Sequence, residues 1–267
     1  MRRFGTFAGW ATALAVVAVL AAGCASDDGK EYVERPVDQL YNGAVDALQN
    51  KNYEEASRLF DEVERQHPYS PWATKAQLMA AYGHYQNNKY DEAVVALDRF
   101  IQLHPGNENI SYAYYLKALS FYEQISDVER DQKMTDEARK ALREIITRFP
   151  NSKYTRDAKL KLELTEDHLA GKEMDIGRKY ERRKQYLAAI NRFKAVVDEY
   201  QTTTHVPEAL HRLSECYAAM GMEIEARRVA AILGHNFPGS EWYIDSYDLV
   251  EGTQTRGGYE KPWYQFW

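Results

Sequence analysis

Residues 50–68 read NKNYEEASRLFDEVERQHP, and the spacing inside this stretch recurs along the chain. Ala56 is followed at +4 by Phe60, at +7 by Val63, at +11 by His67 and at +12 by Pro68. Apolar residues at +4 and +7 fall on one face of a helix. The same frame fits Ala93, Leu97, Phe100, His104 and Pro105, then Ala138, Leu142, Ile145, Phe149 and Pro150. It fits again at Ala189, Phe193, Val196 and Tyr200, where Gln201 replaces the proline, and at Ala226, Ala230, Leu233, Phe237 and Pro238. Twelve residues before the alanine stand Ala44, Ala81, Gly177 and Ser214, all small; in the third copy Ala118 lies twenty before Ala138.

Five concordant copies, spaced 37, 45, 51 and 37 residues apart, resemble the tetratricopeptide repeat, a helix–turn–helix unit with small residues where its helices cross and a proline after the second helix. Proline stops that helix because it lacks an N–H and clashes with the preceding turn. The expected fold is all-α, a superhelical solenoid of five repeats at about 37–70, 74–107, 111–152, 170–203 and 207–240. The third copy's insertion, 126–135 (SDVERDQKMT), is charged and reads as an exposed loop. Its acids lack the alternate-position ligand spacing of a calcium loop, and it has no central glycine. The apolar stripe Leu160, Leu162, Leu164 and Leu169 predicts one helix of about 30 residues reaching Arg183. A further helical turn is expected near 242–250. The end of the chain, GGYEKPWYQFW, is aromatic and broken by glycine and proline.

The first 24 residues read as an address. Arg2 and Arg3 precede an uncharged apolar run from about Phe4 to Ala22, the form of a secretory signal. Ala21-Ala22-Gly23-Cys24 resembles the lipobox of bacterial lipoprotein precursors, which implies a signal peptide over 1–23 and a lipidated tether over 24–36. The lipid on Cys24 would be an S-diacylglycerol and an N-acyl chain, and several chains anchor durably where one does not. Ala25, not Asp, follows the cysteine, which by resemblance to sorted lipoproteins favours the outer membrane.

The 267 residues are 45% hydrophobic and 28% charged, a globular composition. A net charge of −6 speaks against nucleic acid held by its phosphates. No HExxH, GxSxG, P-loop or GxGxxG is present, so the chain reads as a binding scaffold and not an enzyme, with no cofactor beyond the lipid. With 20 Tyr against 9 Phe, tyrosine needs an explanation. Many of the tyrosines fall on single faces of the first helices. That face carries Asp38, Tyr41, Val45 and Leu48 in repeat one, then Lys75, Leu78, Tyr82 and Tyr85 in repeat two. In repeat three it carries Tyr112, Tyr115, Leu119 and Tyr122. Tyrosine gives large contact area at low rotamer cost and keeps a hydroxyl, which suits a peptide-binding groove. The alternative is that these rings pack between helices. Repeats four and five offer charge instead, with Arg178 and Arg182 in the basic run GRKYERRK (177–184) and Arg192 nearby.

The address, the five repeats and the stretches VERDQ, HLAGKEMDIGR and YLAAINRF together resemble the BamD family, lipoproteins of the outer-membrane β-barrel assembly machinery. That resemblance covers the mature chain. It implies that repeats 1–3 (37–152) receive unfolded outer-membrane protein precursors through their aromatic C-terminal segments. It further implies that 153–240 docks the POTRA domains of BamA beside other assembly lipoproteins, with 241–267 left as a tail. Another periplasmic repeat lipoprotein, scaffolding envelope, division or pilus assembly, is the alternative.

Overall fold

The computed structural model describes residues 34–252. The expected signal peptide over 1–23, Cys24 and residues 253–267 lie outside the described residues. From Val37 the chain forms eleven helices among the described residues: α1 (Val37–Gln49), α2 (Tyr53–Gln66), α3 (Pro71–Gln86), α4 (Tyr90–Leu103), α5 (Ile110–Tyr122), α6 (Lys133–Arg148), α7 (Thr155–Arg182), α8 (Tyr186–Glu199), α9 (Val206–Ala219), α10 (Glu223–Asn236) and α11 (Glu241–Glu251). Each packs against the next in sequence, and the first helices of repeats one to four also touch in turn, α1 to α3, α3 to α5 and α5 to α7. This is the helical-pair stacking of a tetratricopeptide solenoid.

Capping and steric exclusion explain the boundaries. The Asn52 side chain accepts from the Glu55 N–H at the start of α2, and Ser70 accepts from the Trp72 N–H at the start of α3, whose first residue is Pro71. The second helices of all five repeats end alike. His67, His104, Phe149, Tyr200 and Phe237 cap them at φ between −125° and −133° and ψ between 45° and 56°. Each donates its N–H to the carbonyl four residues back. Tyr200 does so although Gln201 follows it, so proline reinforces this ending without being required for it.

The small residues lie where the helices cross. Ala44, Ala81 and Ala118 are fully buried opposite the equally buried Ala56, Ala93 and Ala138. Ser214 Oγ, fully buried, donates to the Ala226 carbonyl at 3.0 Å across the α9–α10 crossing. Phe60, Leu97, Leu142 and Phe193, at +4 in their repeats, are completely buried, as the periodicity requires.

The 28-residue α7 serves two repeats. Ala158 joins the core of repeat three with Leu142 and Ile145, whereas Leu169, Ala170 and Met174 join the core of repeats four and five with Phe193 and Leu213. The long helix ends one residue short of the expected Arg183. The insertion is shorter than the expected 126–135, because α6 begins at Lys133 and Thr135 is buried inside it. The loop also rests on α7: Glu129 pairs with Lys179 at 3.2 Å, and the Arg130 carbonyl accepts from Lys172. The expected turn at 242–250 is α11, a closing helix packed on α9 and α10 and capped by Gly252 at φ 69°, a left-handed conformation that glycine adopts without strain.

Candidate functional site, a tyrosine face on repeats two and three

The four residues Tyr82 and Tyr85 of α3 and Tyr112 and Tyr115 of α5 form one half-buried cluster. A fifth ring completes it. Tyr154, at the N-cap of α7, stacks on Tyr115 with centroids 4.9 Å apart and planes 15° apart, and tilts against Tyr112 at 5.4 Å. The Tyr115 hydroxyl donates to Asp157 at 2.5 Å, and the Tyr85 hydroxyl reaches Glu123 at 3.5 Å. Lys161 lies over the Tyr122 ring at 4.7 Å.

Burial pushes the Tyr85 phenol up to about 12, with the Glu123 carboxylate adding to the shift. Burial first, and then neighbouring phenols, raise Tyr112; burial and the Asp157 bond raise Tyr115. All three therefore remain neutral hydroxyls at any physiological pH. The result is an aromatic face with donors and acceptors at fixed points, rimmed by Glu123, Asp157 and Lys161. Such a face can make aromatic contacts and hydrogen bonds. No cluster of His, Cys, Asp and Glu among the described residues could hold a metal ion.

Not every stripe residue shares this face. Tyr41 is only 6% exposed, wedged between Phe60 and Trp72, and Leu78 is 8% exposed in the core of repeat two. Both are corrected to core positions, because the alanine-rich crossings draw these helices close. Val45 and Leu48 are half-buried against the first core, and Leu119 and Tyr122 are half-buried on α5.

Tyr154 was missed by reading the first helices alone, yet a signal for it exists. It stands four residues after Pro150, as Trp72 stands four after Pro68 and Trp242 four after Pro238. Each aromatic covers the stripe of the preceding first helix: Trp72 on Tyr41 at 4.6 Å, Tyr154 on Tyr115, and Trp242 on His211 at 5.3 Å.

The same stripe in repeats four and five is a largely buried network of paired charges, in which Arg212 Nε alone of its nitrogens is buried without a hydrogen bond. Arg212 donates to Glu215 at 2.8 Å, lies 3.6 Å from Glu208 and 3.9 Å from Glu181, and sits over the Trp242 ring at 5.7 Å. Ser246 Oγ lies 2.8 Å from His211 Nδ1. Burial raises Glu181 to about 7 and depresses His211 to about 3. Burial also raises the Glu215 carboxyl and the Cys216 thiol, which leaves Cys216 an inert core residue. Of the three arginines expected to dock a partner, Arg178 is paired internally with Glu208 at 3.0 Å. Arg192 is exposed and pairs with Glu173 at 3.1 Å. Arg182 is exposed at the end of α7 and has no side-chain partner among the described residues.

The family model and the curated relatives agree on one family. The family model described as YfiO, outer membrane lipoprotein, matches residues 33–232. The chain is 50% identical over 251 residues to the outer membrane protein assembly factor BamD of Caulobacter vibrioides, covering 93% of this chain and 82% of that one. It is 45% identical to the BamD of Rickettsia prowazekii, covering 91% and 97%, and 33% identical to that of Neisseria gonorrhoeae, covering 95% and 96%. Among solved structures, the P58(IPK) TPR domain aligns with 80% of this chain and 56% of its own at 14% identity and a TM-score of 0.42.

Proposed function

This chain belongs to the YfiO outer membrane lipoprotein family, the family of the BamD assembly factors, and on that premise we propose that its tyrosine face receives unfolded barrel precursors while its C-terminal repeats dock BamA. It is an outer-membrane protein assembly factor and a non-enzymatic scaffold. The observation that carries the precursor reading is the five-ring cluster Tyr82, Tyr85, Tyr112, Tyr115 and Tyr154. Its neutral hydroxyls and half-buried rings suit an extended segment with aromatic side chains. Bound there, a precursor's C-terminal segment would be held extended and released to the barrel without a nucleotide, since the interaction is aromatic contact and hydrogen bonding alone.

Docking to the POTRA domains of BamA is assigned to repeats four and five, with Arg182 and Arg192 as exposed cations and Arg178 as the residue that fixes α7 to α9. Other assembly lipoproteins would bind alongside. A lipid on Cys24 would hold the chain to the periplasmic face of the outer membrane. The test is a pull-down of the full-length chain from detergent-solubilised outer membrane. BamA as the dominant partner supports the docking reading. A dominant pilus or division protein, with BamA absent, would overturn it in favour of a different envelope scaffold.

A further inference from the structure

Every second helix ends in the same kind of turn, and the residue just past the proline position differs between repeats. It is Tyr69 after repeat one, then Gly106, Asn151, Thr202 and Gly239. Three residues further stand Trp72, Asn109, Tyr154, His205 and Trp242. Only the first of these turns carries an aromatic at both places. Tyr69 is 100% exposed, and Trp72, which lays one face on Tyr41, is still 43% exposed. The turn is also stiff. Pro68 and Pro71 fix the backbone on either side of Tyr69 and Ser70. The Ser70 N–H donates to the His67 carbonyl at 3.0 Å, and the Ser70 side chain accepts from the Trp72 N–H. A tyrosine at full exposure adds nothing to the core, whereas a stiff turn that presents it loses little freedom on binding.

The turn lies where the chain enters the solenoid. Helices α1 and α3 each fold back on α2, so they run parallel and their starts share an edge. Tyr41, four residues after Val37, packs on Trp72 at 4.6 Å. Lys75, one helical turn beyond Trp72, is an exposed cation on the same edge. From Cys24 to Val37 there are thirteen residue steps, at most about 45 Å of chain. A lipid on Cys24 therefore keeps this edge within reach of the bilayer. A second contact made there is effectively intramolecular, so a weak one suffices.

We propose that the Tyr69–Trp72 turn is a membrane-contacting edge, which seats its two rings at the level of the phospholipid headgroups and sets Lys75 against their phosphates. Tyrosine and tryptophan favour that level because each joins an apolar ring to a polar atom. A lipid layer fits better than a protein groove because Tyr69 projects entirely into solvent beside the point where the tether joins. The proposal rests on the reading that Cys24 is lipidated, and it adds to that reading which edge of the solenoid the bilayer meets.

The test is photo-crosslinking in cells that make the full-length chain, with benzoylphenylalanine in place of Tyr69, Gly106 or Asn151 in turn. The expected result is a phospholipid adduct at position 69, seen as a mass shift of its peptide, and none at 106 or 151. With the probe at Pro71 instead, Tyr69→Ser lowers the lipid adduct at least fivefold and leaves the melting temperature unchanged, since Tyr69 supports nothing inside the fold. Protein adducts alone at 69, no adduct, or equal lipid adducts at 106 and 151 overturn the edge. So does a lipid adduct at 71 that Tyr69→Ser leaves intact. The mass of the N-terminal peptide reports the lipid separately. An acylated Cys24 without a lipid adduct at 69 sinks the edge and leaves the anchor standing, whereas an unacylated Cys24 sinks the anchor and the edge with it.

Discussion

Gly177 of α7 lies against the ring of Phe193 of α8, so closely that a Cβ on the glycine would overlap the ring edge. The two helices of repeat four cross at this point, and Phe193 is completely buried there. Gly177→Ala forces the ring or the helix aside, an overpacking cost of about 1–3 kcal/mol. The matching control is Gly106→Ala, where an added Cβ meets nothing within 4 Å. Thermal melts should show a clear fall for the first and almost none for the second. Equal melting temperatures would show that the crossing is looser than described.

Replacing Tyr82, Tyr85 and Tyr115 together with alanine should weaken binding of a C-terminal barrel-protein peptide at least tenfold, given about 0.5–1.5 kcal/mol per aromatic contact beyond its area. Fluorescence anisotropy with a labelled peptide measures this, and circular dichroism checks that the helices persist. Unchanged affinity with an intact fold removes the face from the binding account. Tyr115→Phe separates the hydroxyl from the ring: losing the bond to Asp157 should cost about 1 kcal/mol of stability while the stack on Tyr154 persists.

The arginines should divide by their partners. Arg178→Glu sets a carboxylate against Glu208 and near the Glu181–Arg212–Glu215 network, and should lower stability measurably in urea denaturation. Arg182→Glu has no internal pair to break and should leave the melt unchanged while reducing BamA recovery in a pull-down. Recovery unaffected by Arg182→Glu argues that docking uses another surface.

The buried network predicts a pH dependence with opposing parts. Glu181 is raised from 4.5 to about 7 by burial, so it binds its proton more tightly in the folded chain. Its contribution is fully present below about 4.5 and is lost as pH rises toward 7. His211, depressed from 6.5 to about 3, acts in the other direction: its contribution is present above about 6.5 and is lost as pH falls toward 3. Glu181→Gln removes the first part only. Its stability relative to the unaltered chain should therefore rise between pH 5 and pH 8, measured by urea denaturation at several pH values. A difference independent of pH would mean that Glu181 is ionised throughout.

The repeat frame made the helices legible because a residue's distance along the sequence sets its face on a helix. Ala56, Phe60, Val63 and their counterparts could be placed in the core without coordinates; the long helix through Leu169 was legible as a helix, but Leu160 and Leu164 of its stripe are exposed. The stripe on the first helices was legible as a face, but its fate was not. Tyr41 and Tyr115 occupy related positions, yet Trp72 and Phe60 bury the first, while the second keeps an open edge beside Tyr154. The aromatic that covers each stripe comes from the start of the next first helix, 31 residues away for Trp72 on Tyr41 and 39 for Tyr154 on Tyr115, and helical periodicity carries no information at that range.

From sequence alone came the all-helical repeat, the placement of its small and large core residues, the lipoprotein-like beginning and the family, since each rests on local spacing or local motif. Only the tertiary structure separated exposed from committed charge. Arg178 and Arg182 lie in one basic run, four residues apart, but Glu208 of α9 reaches the first and no side chain among the described residues reaches the second. The physical reason is that pairing and burial depend on distances across helices, which are set by how closely glycine, alanine and serine let neighbouring backbones approach.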